Sequence, residues 1–202
     1  MTTQTIATIY GRRAVKSFRA GEAIAPSVLQ TILDAAMASP SSFNLQHWRF
    51  VIVRDPVTRA QLRRAGHDQP QLTDAAVLIV LCGDTSAWRD SFDMCWAQVT
   101  QTVRTAARLR AIDAYRDDPQ KQRDEAMRSG GMAAQTLMLA AASLGVDSCP
   151  IGGIDFELVA HVIRLPPEHV IVMCIALGSA ICQPPPRPGQ VSRLQAVFEN
   201  TF

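Results

Sequence analysis

The chain has 202 residues, 48% of them hydrophobic, which suits one domain of ordinary size with a real core, or slightly more. A net charge of +2 gives no strong field for nucleic acid or an anionic membrane, and the longest apolar run, around residues 75–82, is too short to span a bilayer. Residues 1–10 lack the pattern of a secretory signal. The five cysteines include no Cys-x-x-Cys pair, which favours a reducing compartment, the cytoplasm, over a disulfide framework or a structural zinc site.

Helical and strand patterns alternate along the chain, which predicts an α+β protein. The predicted helices cover residues 3–10, 27–38, 56–65, 87–112, 125–144 and 155–163, and the predicted strands cover 48–54, 75–82 and 170–177. Residues 11–18 are expected to be irregular, 113–123 to be a polar stretch broken by Pro119, and 149–153 to be a turn. The helix that ends at residue 144 is nearly all apolar from Met132 onward, which predicts burial in the centre or between subunits.

The most informative stretch is residues 39–50. Pro40 stops the preceding helix because its ring cannot continue the hydrogen-bond ladder, and a strand begins at Trp48. Between them lie two hydroxyls and two amides, which can hydrogen-bond the edge of a flat polar heterocycle. We call residues 40–46 the lip. Ordinary capping of the local backbone is the alternative, and it explains the serines better than it explains Asn44 and Gln46.

Three further clusters have polar or glycine-rich chemistry. Arg12, Arg13 and Lys16 can hold a phosphate dianion, although a solvated surface patch is the commoner meaning of such a cluster. Residues 67–71 form a polar turn, and residues 150–153 form a glycine-rich turn in which bare backbone can approach a ligand. The sequence contains no Gly-x-Gly-x-x-Gly or Walker loop, and its four dispersed histidines suggest no metal site.

The lip resembles the Pro-Ser-Ser-x-Asn-x-Gln-Pro-Trp signature of the nitroreductase family of flavin enzymes, with His47 where the family usually has proline. The resemblance runs from about residue 10 to residue 187. It implies a nitroreductase-like α+β fold, with a central mixed, mostly antiparallel sheet flanked by helices. It also implies a homodimer with FMN at the subunit interface, in which residues 1–202 form one domain and residues 179–202 form an arm that is exchanged with the partner subunit.

The resemblance also assigns roles to individual residues. The basic segment would grip the FMN phosphate, with Ala14 in place of a usual hydroxyl residue and Arg187 of the proline-rich arm completing the site. Gln71 would face the pyrimidine edge of the ring, where many relatives have lysine, and would leave the flavin with a lower reduction potential. The predicted cofactor-binding residues are Arg12, Arg13, Ala14, Lys16, Pro40, Ser41, Ser42, Asn44, Gln46, Gln71, Pro150, Ile151, Gly152, Gly153 and Arg187.

The implied activity is ping-pong redox chemistry, in which NAD(P)H reduces FMN and a nitroaromatic, quinone or similar electron-poor acceptor then takes the hydride. Phe43, Trp96 and Tyr115 are the predicted substrate-binding residues, although Phe92 and Trp96 also fit a core face shared with Val99. No protein acid, base, nucleophile or metal is assigned. Two alternatives stay open: an FMN storage or sensor protein with little turnover, and a related flavin enzyme that acts on another substrate.

Overall fold

The computed structural model describes residues 3–202, so Met1 and Thr2 lie outside the described part of the chain. The helices are α1 (Gln4–Gly11), α2 (Pro26–Met37), α3 (Pro56–Ala65), α4 (Gln71–Asp74), α5 (Ala87–Asp90), α6 (Phe92–Cys95), α7 (Gln101–Tyr115), α8 (Pro119–Ser143), α9 (Phe156–Val162) and α10 (Arg193–Ala196). The strands are β1 (Trp48–Val53), β2 (Val77–Asp84), β3 (Asp147–Ile151) and β4 (His169–Gly178), and a 3₁₀ turn covers Ser42–Asn44. This pattern confirms the α+β class.

The four strands form one sheet in the order β1-β2-β4-β3, and each pair of neighbours is antiparallel. The parallel contact among the described residues is an isolated bridge between Ala14 and Ser148. β2 and β4 are therefore central, whereas β1 and β3 are the two edge strands. Every residue of β2 is buried, because helices cover both faces of the sheet.

The alternation of side chains along β2 builds two separate hydrophobic layers. Leu78 and Val80 pack in a layer with residues of α3, α4 and α9. Ile79 and Leu81 point the other way, into a layer with α2 and α8. Across the described residues, no helix is both long and apolar enough to cross a bilayer.

The longest helix, α8, starts six residues before the predicted one. Pro119 begins the helix instead of breaking it, since proline is tolerated at the first helical position. Asp118 caps that end, where its side chain accepts a hydrogen bond from the Lys121 backbone N–H at 2.9 Å. Gly145, with φ at 73°, follows the other end as predicted, because a left-handed residue lets Val146 N–H reach the Ala141 carbonyl at 2.9 Å.

The single helix predicted for residues 87–112 is wrong. The structure has three helices there, α5, α6 and α7, with a non-helical stretch from Trp96 to Thr100. Phe92 is buried and packs in a cluster with Leu45 of the lip, whereas Val99 and Val103 are exposed. The apolar residues that predicted one helix therefore belong to separate elements and do not form one buried face. We call residues 87–115 the α5–α7 segment.

Candidate functional site

The predicted phosphate-binding residues lie along the β3 edge of the sheet. Ala14 bridges Ser148, and the Val15 N–H donates to the Ser148 carbonyl at 3.0 Å. Val15 and Phe18 are both 2% exposed, so their burial fixes this strip as an extended segment beside β3. Lys16 is exposed between them, with its ammonium group available to a ligand.

Arg187 joins the basic strip from the far end of the chain. Its Nη2 donates to the carbonyls of Ile9 and Arg12, both at 3.2 Å. Two cations from the N-terminal strip, Arg12 and Arg13, and one from the proline-rich arm are thereby brought together, and their contact with a phosphate stays a prediction. We call Arg12, Arg13, Lys16 and Arg187 the cradle.

The cradle has positive charge that nothing in the described chain neutralises. Across residues 3–202, none of the four cations has a carboxylate within salt-bridge distance. The Nη1 of Arg12 and the Oγ of Ser148 are buried without a hydrogen-bond partner. Burial first, then the charges of Arg187 and Arg13, lower the pKa of Arg12. Unpartnered donors among clustered cations fit the phosphate of FMN, because a dianion would supply both the acceptors and the missing charge.

A chain of amides joins the start of α4 to the residues that follow β3. Buried Gln71 donates from Nε2 to Gln69 Oε1 at 2.8 Å, and Gln69 Nε2 donates to the Gly153 carbonyl at 2.9 Å. The two segments that the sequence predicted for the pyrimidine edge and the N5 edge of the flavin therefore meet. Gln69 was not among the predicted site residues, although it belongs to the polar turn identified at residues 67–71.

The glycine-rich turn predicted for residues 149–153 is partly wrong, because Cys149, Pro150 and Ile151 belong to β3. Proline is tolerated there because β3 is an edge strand, where a missing N–H breaks no central ladder. Gly152 and Gly153 follow directly, where the strand ends, so their backbone is still placed to approach a ligand.

The lip lies at the opposite edge of the sheet, ahead of β1. Phe43, Asn44 and Gln46 have φ of 49°, 52° and 52°, a left-handed conformation that non-glycine residues rarely adopt. Ser41 Oγ accepts from the Gln46 backbone N–H at 2.9 Å, and Gln46 Nε2 donates to Asn44 Oδ1 at 3.3 Å. The lip is therefore a defined structure and not a loose loop.

Trp96 and Tyr115 hold the lip in place. Tyr115 is 3% exposed, and its hydroxyl donates to Ser42 Oγ at 2.8 Å. Trp96 Nε1 donates to the Phe43 carbonyl at 2.7 Å, while its ring stacks on the core residue Phe92 with centroids 5.5 Å apart. Within one chain these two rings support the lip, and their contact with an acceptor stays a prediction, as it does for Phe43.

His47 fills the position of the family's proline and is 1% exposed. Its Nδ1 lies 2.8 Å from the Asp84 carbonyl, and because a carbonyl only accepts, Nδ1 carries the proton. Burial is the largest cause that lowers the pKa of His47, so the ring is neutral. The Asp84 side chain is paired with Arg49 Nη2 at 2.6 Å, which anchors the start of β1 to β2.

The cradle and the lip are far apart within one chain. Ala14 adjoins Ser148, which pairs with Leu177, whereas Trp48 pairs through Gly83 with Val170. Ala14 and Trp48 are four strand spacings apart across the sheet, about 19 Å, and seven residues apart along the direction of β4, about 23 Å. Together these give a distance of roughly 30 Å between the two residues. The segment that carries Arg12, Arg13 and Lys16 therefore lies beyond β3, and the lip lies beside β1, at opposite edges of the sheet.

The comparisons with known proteins agree with this architecture. The model of the nitroreductase family matches residues 9–179. Protein DrgA of Synechocystis is 40% identical over 174 residues, which cover 86% of this chain and 83% of that protein. NADH dehydrogenase of Thermus thermophilus is 32% identical over 169 residues, covering 83% and 82%. A nitroreductase candidate in complex with FMN from Exiguobacterium sibiricum shares the fold, with a TM-score of 0.88 at 24% identity and 99% coverage of both chains.

The match over most of the chain defines the class of protein: an oxidoreductase with the nitroreductase fold. This chain belongs to the nitroreductase family. The family, the fold and the enzyme class predicted from the lip are thereby confirmed.

Proposed function

We propose that this chain is an FMN-dependent oxidoreductase that takes a hydride from NAD(P)H and passes it to a nitroaromatic, quinone or similar electron-poor acceptor by a ping-pong mechanism. FMN is the cofactor and NAD(P)H the reductant of this class. The observation that carries the proposal is the cradle, in which clustered cations have no carboxylate partner among the described residues and Arg12 Nη1 is a buried donor without an acceptor.

The residues of the chain have distinct tasks in this proposal. The cradle binds the phosphate, Gln71 reaches the pyrimidine edge, and the backbone at Gly152 and Gly153 approaches the N5 edge. When bound, FMN supplies the hydride chemistry, while the protein orients it and shapes the space above the ring. Gln71 contributes a neutral amide, so it stabilises negative charge on the ring less than a lysine would.

We further propose a homodimer in which each site takes its cradle from one subunit and its lip from the other. The distance of roughly 30 Å between Ala14 and Trp48 supports this arrangement, because a single chain cannot bring both to one flavin. Exposed apolar side chains on the arm support it as well, since Leu194 is 87% exposed and Phe198 is 50% exposed. In this proposal residues 179–202 are the arm that reaches the partner subunit, and residues 1–202 form one domain.

The acceptor would stack above the flavin beside the lip. Phe43 belongs to the lip and packs edge-on against Tyr115, with ring centroids 6.0 Å apart. Its half-buried ring is therefore held in a fixed orientation, as stacking on a flat acceptor requires.

We also propose a cytoplasmic location. The five free cysteines support it, because a reducing compartment keeps thiols unpaired.

The experiment is an anaerobic titration of the purified protein with NADH and NADPH, followed by absorption spectroscopy. We expect the flavin bands to bleach, and to return when a nitroaromatic or a quinone is added. Arg12→Ala should weaken FMN binding about 10- to 100-fold, because a charge-assisted hydrogen bond contributes about 1.5–3 kcal/mol. Exposed Arg110, in α7, provides the control Arg110→Ala, which should bind FMN like the unaltered chain.

Three outcomes contradict parts of the proposal. A colourless protein that does not take up added FMN would exclude the flavin site itself. A protein that binds FMN but is not bleached by either nucleotide would exclude catalysis and favour storage or sensing. A flavin that bleaches but is not reoxidised by either class of acceptor would refute the proposed substrates while leaving the cofactor in place.

A further inference from the structure

The conformation of the lip depends on contacts from outside it. Three of its residues, Phe43, Asn44 and Gln46, have positive φ, and none is glycine. Such a backbone persists only where surrounding structure holds it, and residues of this kind concentrate at ligand sites. Within the lip, the Asn44 and Leu45 N–H groups donate to the carbonyls of Ser41 and Ser42, both at 3.0 Å, and side chains join Ser41 to Gln46 and Gln46 to Asn44. None of these bonds uses the Ser42 side chain or the Phe43 carbonyl.

The α5–α7 segment provides that support at three consecutive residues. The Tyr115 hydroxyl donates to Ser42 Oγ at 2.8 Å, and Trp96 Nε1 donates to the Phe43 carbonyl at 2.7 Å. Asn44 Nδ2 in turn donates to the carbonyl of Cys95 at 3.1 Å. Each bond uses a different group of the segment, so the lip is held at three successive residues and not at a single point.

The lip also has its hydrophobic packing in the α5–α7 segment and not in the layers on the sheet. Leu45 is fully buried in a cluster with Phe92 and Tyr115, separate from the two layers that cover the sheet. The ring of Phe43 packs edge-on against Tyr115 at 78° between the planes. The polar and the apolar contacts of the lip therefore lead to the same segment.

We infer that Tyr115 and Trp96 are positioning residues, which hold the lip in the conformation that receives the flavin ring. The inference rests on the proposed function, in which the lip borders FMN. It gives the two aromatic side chains a role through the lip in addition to any contact with the acceptor. Because the segment that carries them also borders the proposed acceptor space, a change in its packing would be transmitted to Ser42, Phe43 and Asn44.

The central variant is Tyr115→Phe, which keeps the ring against Phe43 and removes the hydroxyl that donates to Ser42. If this bond holds the competent lip, its loss lowers the competent fraction and raises the apparent Kd of FMN by more than twofold and up to about fivefold, the limit set by one neutral hydrogen bond. The control is Thr105→Val, which removes an exposed hydroxyl of α7 that accepts from Gln101 Nε2 at 3.2 Å. That control should leave the FMN Kd within about twofold of the unaltered chain.

A double-mutant cycle separates positioning from general stability. Ser42→Ala should also weaken FMN binding, and the combination with Tyr115→Phe should add no effect of the tyrosine change, because that bond is already absent. Thermal unfolding is measured for every variant, and Trp96→Phe, which keeps an aromatic ring beside Phe92, provides the same test if Tyr115→Phe does not fold. We expect Trp96→Phe to raise the FMN Kd as well.

The inference is overturned if Tyr115→Phe and Trp96→Phe both bind FMN like the unaltered chain, or if the effects of Tyr115→Phe and Ser42→Ala multiply. Failure of the proposed function gives a different result, because the unaltered chain would then not bind or bleach a flavin. A loss of folding stability that is not accompanied by any change in FMN Kd would assign the two rings a purely structural role and also refute the inference.

Discussion

A site divided between two subunits can be tested by combining two defective chains. Arg12→Glu reverses a charge in the cradle, where it would repel the phosphate. Asn44→Gly together with Gln46→Gly removes both amides of the lip and keeps its backbone, because glycine adopts the positive φ found at both positions. We expect each variant to lose most of its NAD(P)H-dependent activity as a homodimer.

The expected activity of the mixed dimer follows from where the two defects lie. Ala14, beside the cradle, and Trp48, just after the lip, lie roughly 30 Å apart in one chain, so in the proposed dimer both defects fall on the same site of a heterodimer and leave the other site intact. Heterodimers are isolated by co-expression with two affinity tags and tandem purification. We expect about half of the activity of the unaltered dimer, because one of its two sites is complete.

The control combines Arg12→Glu with Lys16→Glu, two changes on the same basic strip. Every site of that heterodimer carries one defective cradle, so activity should not return. The reasoning is refuted if the cradle–lip heterodimer is only as active as the mean of its two parent homodimers. It is also refuted if the protein is a monomer by light scattering while it turns over NAD(P)H.

Two further experiments, each with a control variant, test the interior. Gly130→Ala would place a methyl group 2.5 Å from Val172 Cγ2 and should lower the free energy of unfolding by about 1–3 kcal/mol, whereas Gly131→Ala meets nothing within 4 Å and should raise it by about 0.5–1 kcal/mol. Equal denaturation midpoints for the two would contradict this packing. Burial lowers the pKa of His47 from 6.5, so the unfolded chain takes up that proton first and stability falls as the pH drops below 6.5 toward the folded pKa. His47→Asn should flatten that acid limb in urea titrations, and exposed His67→Asn should leave it unchanged.

Local signals in the sequence predicted most of the fold. Pro56 and Ala65 bound a helix as expected, because a proline start and a following glycine act within a few residues of the chain. The three predicted strands, β1, β2 and β4, are likewise close to their predicted bounds, since the apolar run of β2 is buried on both faces, whereas β3 was expected to be a turn. Pro119 was misinterpreted because one residue type either starts or breaks a helix, and Asp118, the capping residue, decides between them.

The site was less predictable where it depends on contacts between distant residues. Gln69 bonds to Gly153, 84 positions further along the chain, and although the polar turn at residues 67–71 was recognised, no local pattern distinguishes Gln69 within it. The break after Cys95 is equally invisible, because the three- and four-residue spacing of apolar side chains continues through it. The spacing fits a single helix, but the buried residues of this region come from separate helices that pack in one cluster with Leu45 of the lip.

The α5–α7 segment is thus both the least predictable part of the chain and the part on which the lip depends. The positive φ angles of Phe43 and Gln46 are unfavourable for these residue types, so the lip is held partly by residues outside it, and its motif predicts its chemistry better than its backbone conformation. The shape comes from Tyr115, Trp96 and the Cys95 carbonyl, which lie 51 to 73 positions further along the chain. A change in this segment can therefore alter the proposed flavin contacts of the lip while the lip sequence remains the same.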